Sequence, residues 1–359
     1  MSQVSTDFVV SRQDLRVHKM VKTTLPDLEA GEVLVAVDKY AFTSNNITYA
    51  AFGEAMQYWN FFPAPEGFGR IPVWGFGDVV ASQSGDIAVG ERIYGYLPMS
   101  SHVVLKADRV KLQSFVDASP HRAPLAVVYN QYARVAHDPT YDKTREAEQC
   151  LLGPLFKTAF FIDDLLADNN FFGAKAVVLS SASSKTALGT AFLLSKRPDI
   201  EVIGLTSPGN KTFVENTGYY DRVVAYDEIA SLEADLSIVF VDMAGNAGVI
   251  TDLHNHFRDA MKYSCVVGGT HWEARGVRKP LPGPKPDFFF APTQIAKRTK
   301  DWGSDGIQQR YGAKWQAFLK SVDGWMNIVS GHGVTDIQHI YLDMLDGRVH
   351  PEEGYMLSL

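Results

Sequence analysis

The stretch from Ala174 to Leu194 constrains this chain more than any other. Ala176-Val-Val-Leu179 reads as a strand buried on both faces, and it ends in the small residues Ser180-Ser-Ala-Ser-Ser184. Helix-forming residues follow at once, Thr186-Ala-Leu-Gly-Thr-Ala-Phe-Leu-Leu194. A strand, a tight turn and a helix start in that order bring backbone N–H groups and the positive end of a helix dipole to one point, which suits an anion. A nucleotide pyrophosphate is the guest expected at such a turn.

Glycine ordinarily fills the turn, as G-x-G-x-x-G, and Ala182-Ser-Ser-Lys-Thr-Ala187 stands there instead. Two other readings of the segment are a βα connection that binds nothing and a nucleoside-triphosphate loop. Ser184-Lys185-Thr186 imitates the end of that loop, but both of its glycines are absent.

A chain of 359 residues exceeds one ordinary core and predicts two domains at roughly 150 residues each. Hydrophobic residues at 46% and charged residues at 21% lie in the globular range. A net charge of −7 with scattered basic residues argues against nucleic acid as a partner. No apolar run reaches the roughly 18 residues of a membrane span, and Met1-Ser-Gln-Val-Ser-Thr-Asp7 lacks the regions of a secretory signal. A cytoplasmic location is therefore expected. Cys150 and Cys265 fit a reducing compartment and read as packing residues.

Residues 8–110 show short alternating or β-branched runs broken by Gly, Asp and Ser, which predicts a β-rich domain. From about residue 150 strands alternate with helices, at Ala176 to Leu179, Val202 to Leu205, Val223 to Ala225, Leu236 to Val241 and Cys265 to Val267. Such alternation forces parallel crossovers, so this half predicts a doubly wound sheet with its ligand at the carboxyl ends of the strands. Pro280-Leu-Pro-Gly-Pro-Lys-Pro286 reads as a surface connection, and Phe288-Phe-Phe290 as core or a subunit interface. A helical pattern runs from Gln308 to Ile328 before a closing β segment.

This order resembles the medium-chain dehydrogenase/reductase superfamily, in which a GroES-like β-rich domain precedes a Rossmann domain and the C-terminus returns to the first. The landmarks are Ile71-Pro-Val-Trp-Gly-Phe-Gly-Asp-Val-Val80 and Val89-Gly-Glu-Arg-Ile-Tyr-Gly95, similar to the superfamily's P-x-x-x-G-x-x-x-x-G-x-V and V-G-D-R-V-x-G elements. Within it the chain is similar to the zinc-independent, quinone-oxidoreductase-like proteins. It is closest to a branch with no agreed substrate that carries Ser-Ala-Ser-Ser-Lys-Thr-Ala at the phosphate turn and Phe-Phe-Ala-Pro downstream. The resemblance implies an α/β fold with a GroES-like domain at 1–150, a Rossmann domain at 151–300, and a return at 301–359. It also implies a homodimer.

Zinc-dependent members place a Cys ligand in the first domain and a His-Glu pair soon after, where this chain reads Ala41-Phe-Thr-Ser-Asn-Asn46 and Val73-Trp-Gly-Phe-Gly-Asp78. Structural zinc needs four closely spaced thiolates, and the chain has two cysteines. The one tight histidine pair, His254-Asn-His256, reads as a solvated helix end. No metal is expected.

An Asp or Glu after the second Rossmann strand marks NAD, whereas Gly204-Leu-Thr-Ser-Pro-Gly-Asn-Lys211 offers hydroxyls and a cation. Ser207 and Lys211 suit a 2′-phosphate, so NADP(H) is the expected cofactor, with an ordinary exposed lysine as the other reading of Lys211. The resemblance supplies Tyr226 after the third strand and Thr158 near the nicotinamide. In the turn, Ser183, Ser184 and Thr186 are placed to donate backbone or hydroxyl hydrogen bonds, and Lys185 to add a charge-assisted one. Each serine also reads as a small spacer. Gly245, Gly268 and Thr270 follow later strands and are expected at the cofactor by position.

Hydride chemistry belongs to the cofactor, and the protein must place the acceptor and supply a proton or stabilise an oxyanion. Tyr49, four residues before Gly53, resembles the tyrosine facing the nicotinamide in zinc-free quinone reductases. Tyr58 resembles the proton-donating tyrosine of enoyl reductases; both are candidates, with Tyr49 first. Asn45, Asn46 and Thr48 offer donors for a carbonyl, and Tyr58-Trp59-Asn-Phe-Phe62 forms either a substrate wall or core. Tyr129 and Asn130 read either as pocket lining or as the packing face of a helix.

No tyrosine has a lysine four residues later, which excludes the short-chain dehydrogenase pair, and no G-x-S-x-G elbow marks a hydrolase. The expected activity is NADPH-dependent reduction of a carbonyl, quinone or activated double bond of a small, partly apolar molecule. A non-catalytic NADP(H) sensor and a lyase or isomerase on the same fold are the other readings.

Overall fold

The computed structural model describes residues 3–138, 141–267 and 280–359. The chain divides into two compact units, Met1–Leu151 with Asn327–Leu359, and Leu152–Met326. The first is built from β1 (Val4–Ser11), β2 (His18–Thr24), β3 (Glu32–Phe42), α1 (Ser44–Ala51), β4 (Phe68–Gly69), β5 (Pro72–Ser82), β6 (Arg92–Pro98), β7 (His102–Asp108), β8 (Ser114–Asp117) and β9 (Gln131–Arg134). The chain passes into the second unit within α2 (Glu146–Asp168). There follow β10 (Ala176–Leu179), α3 (Lys185–Leu194), β11 (Glu201–Thr206), α4 (Lys211–Asn216), β12 (Arg222–Ala225), β13 (Ile238–Asp242), α5 (Ala247–Phe257), β14 (Met261–Val266), β15 (Asp287–Phe288) and α6 (Ala291–Val322). The return to the first unit consists of β16 (Asn327–His332), α7 (Gly333–Leu345) and β17 (Glu353–Ser358).

In the first unit eight strands pair in the order β16-β17-β3-β5-β6-β9-β8-β7, and β7 also pairs with β3. The six strands from β3 round to β7 therefore close on themselves, which removes their edges. Val33, Leu34 and Val35 of β3 are all buried, so this stretch of the strand is covered on both faces.

Among the described residues of the second unit six strands run parallel in the order β12-β11-β10-β13-β14-β15. The order runs outward in both directions from β10, so the crossovers diverge at its carboxyl end, the place where open α/β sheets bind ligands. Its core is aliphatic and aromatic, with Val178, Ile203, Phe240 and Leu253 fully buried.

Three segments are placed otherwise than, or more closely than, the sequence suggested. The helical pattern placed at 308–328 belongs to α6, which starts at Ala291 with proline in its first turn, breaks at Gly303 (φ 68°) and ends at Val322. Ile328 instead lies in β16, where its run pairs in parallel with β17. Of the three phenylalanines, Phe289 is buried while Phe288, in the edge strand β15, and Phe290, at the start of α6, are exposed. Residues 301–326, expected with the C-terminal return, lie in the second unit. No helix among the described residues is long and apolar enough to cross a membrane.

Candidate functional site

The carboxyl end of β10 is tied to that of β13 by a buried lock. Ser180 Oγ donates to Asp242 Oδ1 at 2.7 Å and accepts the N–H groups of Met243 (2.9 Å) and Ala244 (3.1 Å). Asp242 also accepts from Gly245 N at 3.1 Å, which fixes that residue at the strand end. Ser181 then adopts φ +52°, the left-handed region a glycine would take without cost. Its N–H donates to Tyr226 Oη at 2.9 Å, a partner supplied from the end of β12. Burial pushes the Tyr226 phenol up to about 12, so it meets the turn as a neutral hydroxyl.

The next residue, Ala182, is fully buried against β11 and donates its N–H to Leu205 O at 2.9 Å. Space for its methyl comes from Gly204, where a Cβ would lie 2.9 Å from Ala182 Cβ. The glycine missing from the turn is thus found on the neighbouring strand. Ser183 Oγ accepts from Asn210 Nδ2 at 3.1 Å, and Ser184 caps α3 by accepting from Ala187 N at 3.4 Å. Lys185 and Thr186 open that helix and are half-buried. Together these contacts bring Ser183, Ser184, Lys185, Thr186, Tyr226 and Gly245 to one end of the sheet.

Ser207 is exposed just after β11. Lys211, at the start of α4, pairs with Glu228 at 2.9 Å, and that pairing raises the pKa of the lysine and lowers that of the glutamate. A carboxylate therefore accompanies the expected phosphate-binding cation, contributed from beyond β12, where the second-strand rule does not look. Thr158 lies on α2 and its hydroxyl donates to Pro154 O at 3.2 Å. Gly268 and Thr270 lie outside the described residues.

In the first unit α1 carries Tyr49. The helix starts at Thr43, whose N–H donates to Asn46 Oδ1 at 2.8 Å, while Asn46 Nδ2 donates to Pro72 O at 2.9 Å. Asn46, expected to hold a substrate carbonyl, is thus committed to capping α1 and strapping it to β5. Asn45 and Thr48 are half-buried, and Thr48 donates back to Ser44 O at 3.3 Å. Trp59, expected to wall the substrate, is 2% exposed and sealed against Gly53 and Gly69 as core. Asn130, also expected in the pocket, is spent on Arg122: its Nδ2 donates to Arg122 O and its Oδ1 accepts from Arg122 Nε, both at 2.9 Å.

What the fold does assemble is a tyrosine cluster. The Tyr49 and Tyr58 rings lie 4.5 Å apart, and Tyr129 is 6.4 Å and 6.0 Å from them. The Tyr96 ring lies tilted 4.7 Å from that of Tyr129, and the Trp74 ring 5.2 Å from that of Tyr96. Burial raises the phenols of Tyr49, Tyr129 and Tyr96 far above the ordinary range and that of Tyr58 to about 12. Near neutral pH each is therefore a neutral hydroxyl. Tyr96 Oη is buried with no hydrogen-bond partner among the described residues, so one hydroxyl in this cluster is left unsatisfied.

Sequence reasoning missed Arg122, which is fully buried beneath the cluster. It donates to Asp117 Oδ2 (2.9 Å), Tyr132 Oη (2.7 Å) and Tyr129 O (2.5 Å), and its guanidinium lies 5.3 Å from the Phe61 ring and 5.0 Å from that of Phe62. His254, read as solvated, is buried between Pro282 O (2.9 Å) and Ser264 Oγ (3.0 Å), and His256 bonds Leu232 O at 2.8 Å. Cys150 and Cys265 are both buried. Among the described residues no group of three or more His, Cys, Asp or Glu is arranged to hold a metal ion.

Solved structures share this architecture over nearly their whole length. CurA from Vibrio vulnificus in complex with NADPH matches at 12% identity and a TM-score of 0.65, covering 98% of each chain. The quinone oxidoreductase from Coxiella burnetii matches at 11% identity and 0.56, covering 99% of this chain and 100% of that one. S. aureus TarJ in complex with NADPH matches at 11% and 0.56, covering 99% of each. At these identities the likeness is one of fold. No curated protein sequence is matched. The model of DUF2855, described as proteins of unknown function, matches residues 40–350, and the chain belongs to that family.

Proposed function

We propose that the chain is a zinc-independent, NADPH-dependent reductase acting on a carbonyl, quinone or activated double bond of a small, partly apolar molecule. The observation that carries this reading is the ready-built turn at the carboxyl end of β10, where the strand order of a doubly wound sheet diverges. The residues fit a dinucleotide. Ser183, Ser184 and the first turn of α3 suit the pyrophosphate, and Ser207 with Lys211 the 2′-phosphate once the exposed Lys211–Glu228 pair opens. Thr158 belongs beside the nicotinamide by resemblance. The bound cofactor supplies the hydride.

The chain's own part is to hold the substrate oxygen, and the tyrosine cluster has the chemistry for it. Tyr49, Tyr58 and Tyr129 keep their protons at every working pH and hydrogen-bond developing negative charge without losing them. A reading without catalysis, as an NADP(H) sensor, draws on the commitment of Asn46, Asn130 and Trp59 to the fold. Turnover separates the two: NADPH consumption with a panel of quinones, enones and aldehydes is expected for the reductase. Tight NADPH binding with no consumption on any of them identifies the sensor.

A further inference from the structure

At the amino ends of β10 to β13, the edge of the sheet away from the β10–α3 turn, lies an open cavity of about 690 Å3. Its lining belongs wholly to the second unit, and the reductase reading gives it no task. Backbone bonds draw its walls together: Lys175 N donates to Ser237 O at 2.8 Å, and Glu201 N to Lys175 O at 3.0 Å. Arg222 is already spent there, donating to Glu233 Oε2 at 2.9 Å and to Glu201 Oε2 at 3.2 Å. Lys175 and Asp235 are exposed and make no ion pair or side-chain hydrogen bond among the described residues. Ser237 Oγ is buried at the same cavity and has no hydrogen-bond partner among the described residues. Water satisfies an exposed lysine or aspartate, whereas a sequestered hydroxyl costs free energy until something pairs with it. The hydroxyl therefore points to a ligand, and the two unpaired charges beside it give that ligand's chemistry.

Lys175 and Ser237 Oγ both donate and suit an anionic group; Asp235, two residues before Ser237 in the loop that enters β13, suits a cationic one. Opposite charges a short distance apart on a small molecule are those of an α-amino acid. Two cations in the lining, Lys175 and Arg222, face three carboxylates, Glu201, Glu233 and Asp235, so the cavity carries one net negative charge and favours a ligand with one net positive charge. We infer that this cavity binds a basic α-amino acid, its carboxylate on Lys175 and Ser237 and its α-ammonium on Asp235. The side-chain cation belongs toward Glu233, which shares Arg222 with Glu201 and so keeps negative charge in excess. Charges this exposed attract modestly, and an affinity of roughly millimolar order is expected. The site is separate from the dinucleotide turn and stands independently of the reductase reading.

The test is thermal unfolding of the full chain titrated with L-lysine at constant ionic strength and without NADPH. A saturable rise in Tm is expected, because a ligand that binds only the folded chain stabilises it. L-Lysinamide, which lacks the carboxylate, and L-glutamate, which adds a negative charge, are expected to give little or none. Lys175→Met and Asp235→Asn change exposed side chains, so each is expected to leave the unliganded Tm in place and to weaken the apparent Kd for L-lysine about three- to tenfold. Ser237→Ala removes the unpaired hydroxyl and is expected to weaken binding without lowering the unliganded Tm. No saturable rise with L-lysine, an equal rise with L-lysinamide or L-glutamate, or wild-type affinity in both Lys175→Met and Asp235→Asn overturns the assignment and leaves the reductase reading standing.

Discussion

Arg122 shows how much of the first unit rests on single residues. Its guanidinium holds the backbone of Tyr129 and the side chain of Asn130, so the position of one tyrosine depends on a buried ion pair with Asp117. Removing the cation strands the Asp117 carboxylate in the core. Arg122→Met is expected to cost about 3–5 kcal/mol in urea unfolding, because an uncompensated buried charge outweighs the regained apolar packing. A loss under about 1 kcal/mol would show that Asp117 finds another partner. At this scale the sequence was only partly legible. Tyr49, Tyr58 and Tyr129 were visible as candidates, because aromatic residues carry their chemistry wherever they gather. The structural ties of Asn46, Trp59 and Asn130 were not legible, because their partners, Pro72 O, the glycines at 53 and 69, and Arg122, come from segments distant in sequence.

Among the elements, the β10–α3 turn reaches without glycine the shape that glycine usually confers. It does so through Tyr226, the Ser180–Asp242 lock and the space above Gly204; the turn serines and Tyr226 were named in advance, whereas the lock and the role of Gly204 were not. The neighbouring α4 start bears on cofactor choice. Glu228→Gln releases Lys211 and removes a negative charge beside it, so the preference for NADPH over NADH is expected to rise by roughly two- to fivefold, the scale of an exposed pair. A fall in that preference would place the 2′-phosphate elsewhere.

Helix α2 is anchored at its first residue. Burial disfavours the ionised form of Glu146, but hydrogen bonds from Arg92, with Lys39 and Tyr141, outweigh it and hold the carboxyl at about 2 against an ordinary 4.5. A depressed carboxylate stabilises the fold fully above its unfolded pKa and ceases to do so as pH falls through the folded one. The stability gap between the wild type and Glu146→Gln is therefore expected to close between pH 4.5 and about 2. A gap that stays constant across that window would detach Glu146 from acid unfolding.

For the whole molecule, the change from short alternating strands to strand–helix alternation near residue 150 was enough to read a β-rich unit and a parallel sheet from sequence. That signal is local, since it follows from hydrophobic period alone. Closure of the barrel through the β3–β7 pairing and the extent of α6 were not legible, because neither a long-range strand pairing nor a glycine-broken helix leaves a local period. Substrate identity is equally remote from the sequence, since it depends on how side chains of several elements converge. The central claim, that a serine-built turn seats the diphosphate of a reduced nicotinamide dinucleotide, is tested most directly by titrating NADPH into the full chain in a calorimeter. Saturable uptake of one equivalent per chain, with weaker uptake of NADH, is the result expected; no heat of binding with either dinucleotide would contradict it.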